Sequence, residues 1–274
     1  MDREGNRIEF MDTQTMYRTD AFLVRSIGSS VSRQEFISGD SGIKIPDKVH
    51  EKACRIRVST KRTIEAAGLH TGRTVVLNFA SWTNPGGGVV SGSDAQEESL
   101  CRISTLFPCI SDQRMMETFY LPHRATEDRN ERILHNSDCI YTPDVMFFKS
   151  DSRTPRLLPR NRWLKIDVIT CSAPNLRSAN GRRIWIGDKD LLEIHTDRIG
   201  RILDIASGNR ADNVVLGAFG CGAFLNDPEI VAMASLKALK TRMFRFRNIE
   251  FAIAGSDRDQ TNYNAFKTIL STVT

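Results

Sequence analysis

The sequence lacks the features that would place the chain in a membrane or in an oxidising compartment. No apolar run approaches the roughly 18 residues of a spanning helix, and the start, MDREGNRIEF, has no signal-peptide core. None of the six cysteines forms a C-x-x-C pair, and their spacing fits neither a zinc cluster nor a disulfide framework. We therefore expect no membrane association, free thiols, and an intracellular, by default cytoplasmic, location, with the nucleus as the alternative.

Common cofactor-binding patterns are also missing. There is no G-x-G-x-x-G fingerprint and no Walker sequence with its lysine, which argues against dinucleotide oxidoreductases and P-loop enzymes. No histidine pairs with a carboxylate at metal-ligand spacing, so we expect no metal and no cofactor. Lys and Arg number 38 against 33 Asp and Glu, a mild basic excess that is compatible with an anionic ligand.

Apolar β-branched runs alternate with helical patterns along most of the chain. The runs predict strands over 74–80, 165–171, 213–219 and 249–255, with a fifth candidate over 139–148 that Pro143 interrupts. The helical patterns cover 48–68, 190–207, 227–244 and 260–273. This alternation predicts an α/β fold with a parallel or mixed sheet.

Three consecutive glycines follow the first of these strands, close to a pair of acids. Gly86, Gly87 and Gly88 allow backbone N–H groups to approach a ligand, and Glu97 and Glu98 come soon after them. Ser93 with Gln96, and Asp94 with Glu97, fit the capping-box pattern, so both acids should lie in the first turn of a helix. First-turn acids could simply complement the helix dipole, but this does not explain the glycines.

A second glycine-rich loop, GAFGCGAFLNDP over 217–228, leaves the strand at 213–219 and leads into a helix capped by Asp227. A strand, a glycine turn and a helix N-terminus together can bind phosphate through backbone N–H groups. Two such loops, one carrying acids, suggest a diphosphate held between loops with a carboxylate at one end.

These residues resemble the poly(ADP-ribose) glycohydrolase family. The spacing of GGG, seven residues and QEE matches its signature, and NFASWTNPGGG, DVITCSAPN and GAFGCGAFLNDP are similar to its microbial-type branch. The resemblance runs from about residue 70 to the C-terminus. It implies a macrodomain-like mixed sheet between helices over 71–274, one globular unit, with residues 1–70 as a helical extension packed on it.

The resemblance also implies an activity and a site. The family hydrolyses the ribose–ribose O-glycosidic bond of poly(ADP-ribose), or of ADP-ribosylated macromolecules that carry it, and releases ADP-ribose without a metal. Glu98 matches the catalytic acid, and Glu97 matches the acid that positions the distal ribose. The residues expected to bind ADP-ribose are Asn84, Gly86, Gly87, Gly88, Gln96, Gly220, Cys221, Gly222, Ala223 and Phe224. We expect the protein to act as a monomer.

Several alternatives stay open at this point. The same acid could serve a hydrolase of another ADP-ribosyl linkage, on a protein or a nucleic acid, or the fold could bind ADP-ribose without hydrolysing it. Burial and Glu97 would raise the pKa of Glu98, whereas the helix N-terminus would lower it. The tyrosine-bearing substrate loop of the animal enzymes has no counterpart around Tyr120, which suggests a less enclosed site that favours chain ends.

Overall fold

The computed structural model describes residues 1–44, 54–242, 245–255 and 259–273. The strands in these ranges are β1 (Glu35–Ile37), β2 (Arg55–Ser59), β3 (Thr74–Phe79), β4 (Cys139–Phe147), β5 (Leu164–Cys171), β6 (Asn213–Leu216) and β7 (Asn248–Ala252). The helices are α1 (Arg3–Thr19), α2 (Ala21–Arg33), α3 (Thr63–Ala67), α4 (Gln96–Arg102), α5 (Leu106–Ile110), α6 (Gln113–Met115), α7 (Leu121–Ala125), α8 (Arg129–Leu134), α9 (Asp188–Gly208), α10 (Pro228–Thr241) and α11 (Thr261–Leu270).

The chain divides into two compact units, each made of three segments. The first comprises Met1–Gly39, Asn78–Glu127 and Asp138–Ser172, and the second comprises Asp40–Leu77, Asp128–Ser137 and Ala173–Thr274. The division into an extension over 1–70 and a core over 71–274 stays a prediction.

The first unit contains the antiparallel strands in the order β1, β4, β5. The candidate strand at 139–148 is confirmed as β4, and its register against β5 shifts between Thr142 and Val145. Pro143 has no N–H to donate to the ladder, and Asp144 has a positive φ of 57°. The N–H of Asp144 instead donates to the side chain of Asp167 at 2.8 Å, so the irregularity has its own hydrogen bond.

Two helices at the start of the chain also belong to the first unit. The Asp2 carboxylate accepts the N–H of Gly5, and the Asp20 carboxylate caps α2 by accepting the N–H of Phe22 at 2.9 Å. The helix α1 lies against the segment that carries the acids, because Thr13 donates its hydroxyl to the carbonyl of Arg102 at 2.5 Å. Farther along the unit, Lys149 is buried and pairs with acids of α1.

The second unit contains the parallel strands in the order β3, β6, β7, β2, with β3 belonging to it as far as Leu77. Val214 and Val215 of β6 are fully buried, as expected of a strand covered on both faces. The helix predicted at 227–244 is confirmed as α10 up to Thr241, and Asp227 caps it by accepting the N–H of Glu229 at 2.9 Å. Met243 and Phe244, at the end of that prediction, lie outside the described residues.

The helix predicted over 48–68 is wrong in its middle. Residues 55–59 form β2, and only α3 is helical before Gly68; residues 48–53 lie outside the described residues. In β2 the side chains of Arg55 and Arg57 are exposed while those of Ile56 and Val58 are half-buried. This alternation has the period of a strand, and parallel pairing with β7 outweighs the local helix propensity.

Candidate active site

The glycine loop and the acid pair belong to the first unit, and the backbone there approaches the carboxylates closely. Gly87 has a φ of +57°, and a Cβ at this position would lie 2.5 Å from Oε1 of Glu98 and 3.0 Å from Oε2 of Glu97. Any other residue would collide with both acids, so the glycine is required by the carboxylates themselves. The structure therefore places Gly86, Gly87 and Gly88 beside Glu97 and Glu98, as the sequence predicted.

Glu97 is the more deeply buried acid of the pair. Its Oε2 accepts the backbone N–H of Ser81 at 2.7 Å, and its Oε1 accepts the side-chain amide of Asn78 at 3.2 Å. Burial raises the pKa of Glu97 to about 8, and the charge of Glu98 adds to this rise, whereas the hydrogen bonds from Ser81 and Asn78 oppose it. Glu97 therefore keeps its proton at neutral pH.

Glu98 is held by backbone donors on both of its oxygens. Oε1 accepts the N–H of Gly88 at 2.8 Å, and Oε2 accepts the N–H of Ala95 at 3.1 Å. The side chain is 7% exposed, whereas that of Glu97 is 2% exposed. Glu98 thus lies at the edge of the buried pair, with the loop and the helix start fixing its orientation.

The predicted capping boxes at the start of this helix are wrong, although both acids do lie in the first turn of α4. Ala95 is the N-cap residue, and it is Glu98 that reaches back to its N–H. The Asp94 carboxylate instead accepts from Arg102 at 2.6 Å. The helix therefore begins one or two residues later than the local pattern predicts, because Glu98, rather than Ser93 or Asp94, makes the side-chain hydrogen bond at its N-terminus.

Two of the expected ligand-binding side chains hold the site together. Oε1 of Gln96 accepts the N–H of Phe79 at 2.9 Å, which ties the start of α4 to the end of β3. Asn84 is exposed, and its Oδ1 accepts from Arg124 at 3.3 Å. Trp82 is buried in a cluster with Met115, Phe119, Tyr120 and Ile140 and is a core residue.

The second glycine loop belongs to the second unit. Gly220 has a φ of +79°, and a Cβ there would lie 2.6 Å from both Ala173 and the side chain of Asn226. Gly222 and Ala223 are exposed, while Cys221 and Phe224 are partly buried. Burial raises the pKa of the Cys221 thiol, so this cysteine stays protonated and inert.

Asn226, which no sequence pattern singled out, organises this loop. Its side-chain amide donates to the carbonyls of Pro174 at 2.7 Å and Gly220 at 3.0 Å. Its Oδ1 accepts from Nε2 of His195 at 2.9 Å, and burial lowers the pKa of His195 to about 4, so the imidazole is neutral. The signal available in the sequence was a polar residue directly before the N-cap, in a turn that needs its carbonyls satisfied.

Asn78, in the first unit, is a second residue that no sequence pattern singled out. It is fully buried within β3 and donates to Thr170 at 3.2 Å as well as to Glu97. An asparagine inside an otherwise apolar strand was the signal, because a buried amide requires partners.

The described helices include none long and apolar enough to cross a membrane. Across the described ranges no group of three or more His, Cys, Asp or Glu side chains could hold a metal ion. The six cysteines are free thiols.

An α/β fold with mixed strand pairing and a buried acid pair under a glycine loop defines a macrodomain-like glycosidase. Residues 5–150 match the family described as the microbial-type PARG catalytic domain, and the chain belongs to this family of poly(ADP-ribose) glycohydrolases. The family, the fold class and the hydrolase activity predicted from the sequence are confirmed. No curated protein sequence matches the chain.

Solved structures of bacterial poly(ADP-ribose) glycohydrolases share the fold. The Thermomonospora curvata enzyme is 24% identical with a TM-score of 0.79, and the match covers 97% of this chain and 99% of that one. The same enzyme bound to the inhibitor ADP-HPD gives a TM-score of 0.77, with 24% identity and the same coverage. The Deinococcus radiodurans enzyme in complex with ADP-ribose is 25% identical with a TM-score of 0.74, covering 90% of this chain and 98% of that one.

Proposed function

We propose that Glu98 is the general acid and base with which this chain hydrolyses the ribose–ribose bond of poly(ADP-ribose). The observation that carries the assignment is the pair of backbone hydrogen bonds, from Gly88 and Ala95, that fixes Glu98 at the edge of the buried acid pair. A fixed and nearly buried carboxyl group can deliver a proton to a bound glycosidic oxygen without first reorganising.

The reaction then runs through one protonation and one attack by water. Glu98 gives its proton to the bridging oxygen, the bond between that oxygen and C1 breaks, and positive charge develops at C1. The Glu98 carboxylate takes a proton from water as the water oxygen bonds to C1, which restores the acid. ADP-ribose leaves, and the polymer is one unit shorter.

Glu97 has a separate role in this proposal. Because it keeps its proton at neutral pH, its O–H can donate to a ribose oxygen. Asn78 and Ser81 hold it in place through its two oxygens. Glu97 is therefore expected to contribute to binding the distal ribose.

The glycine loops would bind the rest of the ligand. Gly87 is half-buried beside the acids, and the loop from Gly220 to Phe224 has exposed backbone at Gly222 and Ala223 that a diphosphate can approach. Each contact of Asn84, Gln96 and these loops with ADP-ribose stays a prediction.

The expected result of replacing Glu98 is a loss of turnover with binding retained. The Glu98→Gln chain and the unchanged chain are incubated with automodified poly(ADP-ribose), and released ADP-ribose is quantified over time. General acid catalysis typically contributes 10²–10⁴-fold, so we expect a loss of about this size in kcat. Calorimetry with ADP-ribose should give similar affinity for both chains.

The matched control is Glu117→Gln, which changes an exposed glutamate of the first unit and should leave release unchanged. Full activity of Glu98→Gln would reject its role. Tight ADP-ribose binding without release by the unchanged chain would point to a reader or to another ADP-ribosyl linkage.

Tyr120 is fully buried and cannot cover a substrate, so we propose cleavage from chain ends. Early oligomeric fragments in the same time course would contradict this proposal.

We also propose a reducing intracellular location, cytoplasmic by default, and action as a monomer. The support for the location is chemical: all six cysteines are free, and four of them are buried thiols.

A further inference from the structure

An arginine-rich turn in the second unit has no part in the site described above. Residues 176–187, here called the arginine hairpin, fold back through an antiparallel bridge between Arg177 and Arg183. The N–H of Ser178 donates to the carbonyl of Arg182 at 2.8 Å, and the N–H of Ile184 donates to the carbonyl of Leu176 at 2.6 Å. The hairpin is thus held by its own backbone hydrogen bonds.

The side chains of the returning strand alternate between a buried and an exposed face. Ile186 packs against the cluster of Leu176, Leu191 and Ile230. Trp185, its neighbour, is 84% exposed. Side chains two residues apart on an extended strand share a face, as do directly opposed residues of an antiparallel pair, so Arg177, Arg183 and Trp185 lie on the same outward face.

This outward face carries an indole ring and two guanidinium groups that take no part in the site described above. Neither the Trp185 ring nor the guanidinium groups of Arg177 and Arg183 make an ion pair or ring contact with any residue in the described ranges. The nearest acids in the sequence, Asp188 and Asp190, lie in the first turn of α9, where they complement its dipole. An exposed indole beside two free guanidiniums is the combination that binds single-stranded nucleotide chains, by stacking on bases and pairing with phosphates.

We propose that the arginine hairpin binds a nucleotide unit of poly(ADP-ribose) other than the one being cleaved. Trp185 stacks on the adenine, and Arg177 and Arg183 bind the diphosphate. This inference rests on the proposed function, since it adds a second contact for the same polymer. Its link to that function is the N–H of Leu176, at the base of the hairpin, which donates to the carbonyl of Phe224 at 3.0 Å. The hairpin is therefore continuous with the loop predicted to bind diphosphate.

The test compares binding of polymer with binding of monomer. Polymer of defined length and free ADP-ribose are titrated separately into the full chain carrying Glu98→Gln, so that polymer is not consumed. In that background Trp185→Ala should weaken polymer binding about 10-fold relative to ADP-ribose, since one stacked base contributes about 5- to 160-fold. Trp185→Phe should retain most of the affinity, because it keeps an aromatic face.

Salt dependence tests the two arginines. Replacing Arg177 and Arg183 by Gln should lower the slope of log K against log salt by about 1.4, as expected for two lost phosphate contacts on a single strand. Met233→Ala and Lys237→Ala remove an exposed apolar and an exposed cationic side chain from α10 of the same unit, and neither should change polymer binding.

Two results would overturn the proposal. One is equal affinity of polymer for Trp185→Ala and for its parent chain. The other is single-stranded poly(A) RNA that binds as tightly as the polymer and is weakened equally by Trp185→Ala, which would make the hairpin a general nucleic-acid contact. Failure of the proposed function is a separate outcome, because it would appear as no ADP-ribose release by the chain with Glu98 intact while the binding comparison still stands.

Discussion

A single backbone position, Gly87, sets how closely the two acids and the loop can approach each other. Oxygens of both Glu97 and Glu98 lie within 3.0 Å of the place where a Cβ would be. The donors around them are main-chain N–H groups, whose positions are fixed by the fold and cannot rotate away. Both acids are therefore buried with their hydrogen bonds made. The part of the burial cost that these bonds do not offset raises the pKa of Glu97.

That raised pKa makes the stability of the protein depend on pH. Between the ordinary value of 4.5 and about 8, the unfolded chain releases the Glu97 proton while the folded chain keeps it. The folded state binds more protons in this window, so its stability falls as pH rises, by about 1.4 kcal/mol per pH unit and on the order of 5 kcal/mol in all. Below pH 4.5 both states are protonated and the effect vanishes.

Urea unfolding of the unchanged chain and of Glu97→Gln, from about pH 5 to about pH 8, isolates this residue. Glutamine does not titrate, so the stability of the variant relative to the unchanged chain should rise across the window. Its amide is expected to cost a constant amount, because it cannot accept the N–H donors that both oxygens of Glu97 accept. A difference between the two chains that stays constant with pH would show that Glu97 is ionised in the folded protein.

At the scale of elements, the short helix α7 holds the turn that leads into the glycine loop. Nδ1 of His123 lies 3.1 Å from the carbonyl of Trp82, and Nε2 lies 2.9 Å from the carboxylate of Asp138. Each ring nitrogen thus faces an acceptor, and the ring connects the carbonyl of this turn to the residue that precedes β4. The next residue, Arg124, donates to the carbonyl of Thr83 at 2.7 Å.

Replacing His123 by Phe should loosen this turn while keeping the ring contacts. The imidazole is stacked on Trp82, with 4.4 Å between ring centroids, and a phenyl ring can keep that contact. The partly buried Asp138 carboxylate would lose its hydrogen-bond partner, which should lower the free energy of unfolding by about 1–3 kcal/mol. Below the unfolding temperature, kcat for ADP-ribose release should also fall, because the turn positions Gly88, the donor to Glu98.

Denaturant unfolding and steady-state kinetics check the two parts. Arg129→Ala, at an exposed arginine of α8, serves as the control, because it removes a basic side chain that is exposed. If His123→Phe reduces stability but leaves kcat unchanged, α7 supports the fold and does not influence catalysis.

At the scale of the whole molecule, the sequence predicted those parts whose signal is local. The strands β3, β5, β6 and β7 are apolar runs, and the glycine loop and the acids lie within fifteen residues of one another in a single stretch. Asn78 and Asn226 were missed because their partners are distant in sequence: Asn78 bonds Thr170, and Asn226 bonds Pro174. The strand β2 was missed for the same reason, since only its partner β7 makes it a strand.

The N-terminal helix α1 meets the segment before the acids at Gly92. A Cβ at Gly92 would lie 2.0 Å from the carbonyl oxygen of Arg3, and its φ is +78°. The carbonyl of Gly92 also accepts the side-chain amide of Asn6 at 3.1 Å. Gly92→Ala should therefore force α1 away from this segment and destabilise the protein by more than about 2 kcal/mol, with reduced ADP-ribose release at the same temperature.

The matched control is Gly28→Ala in the exposed face of α2, where a Cβ has nothing within 4 Å. This change should stabilise the protein by about 0.5–1 kcal/mol. Thermal unfolding of both variants measures the expected loss and the expected gain of stability. A stable and fully active Gly92→Ala chain would show that α1 does not support the acid pair.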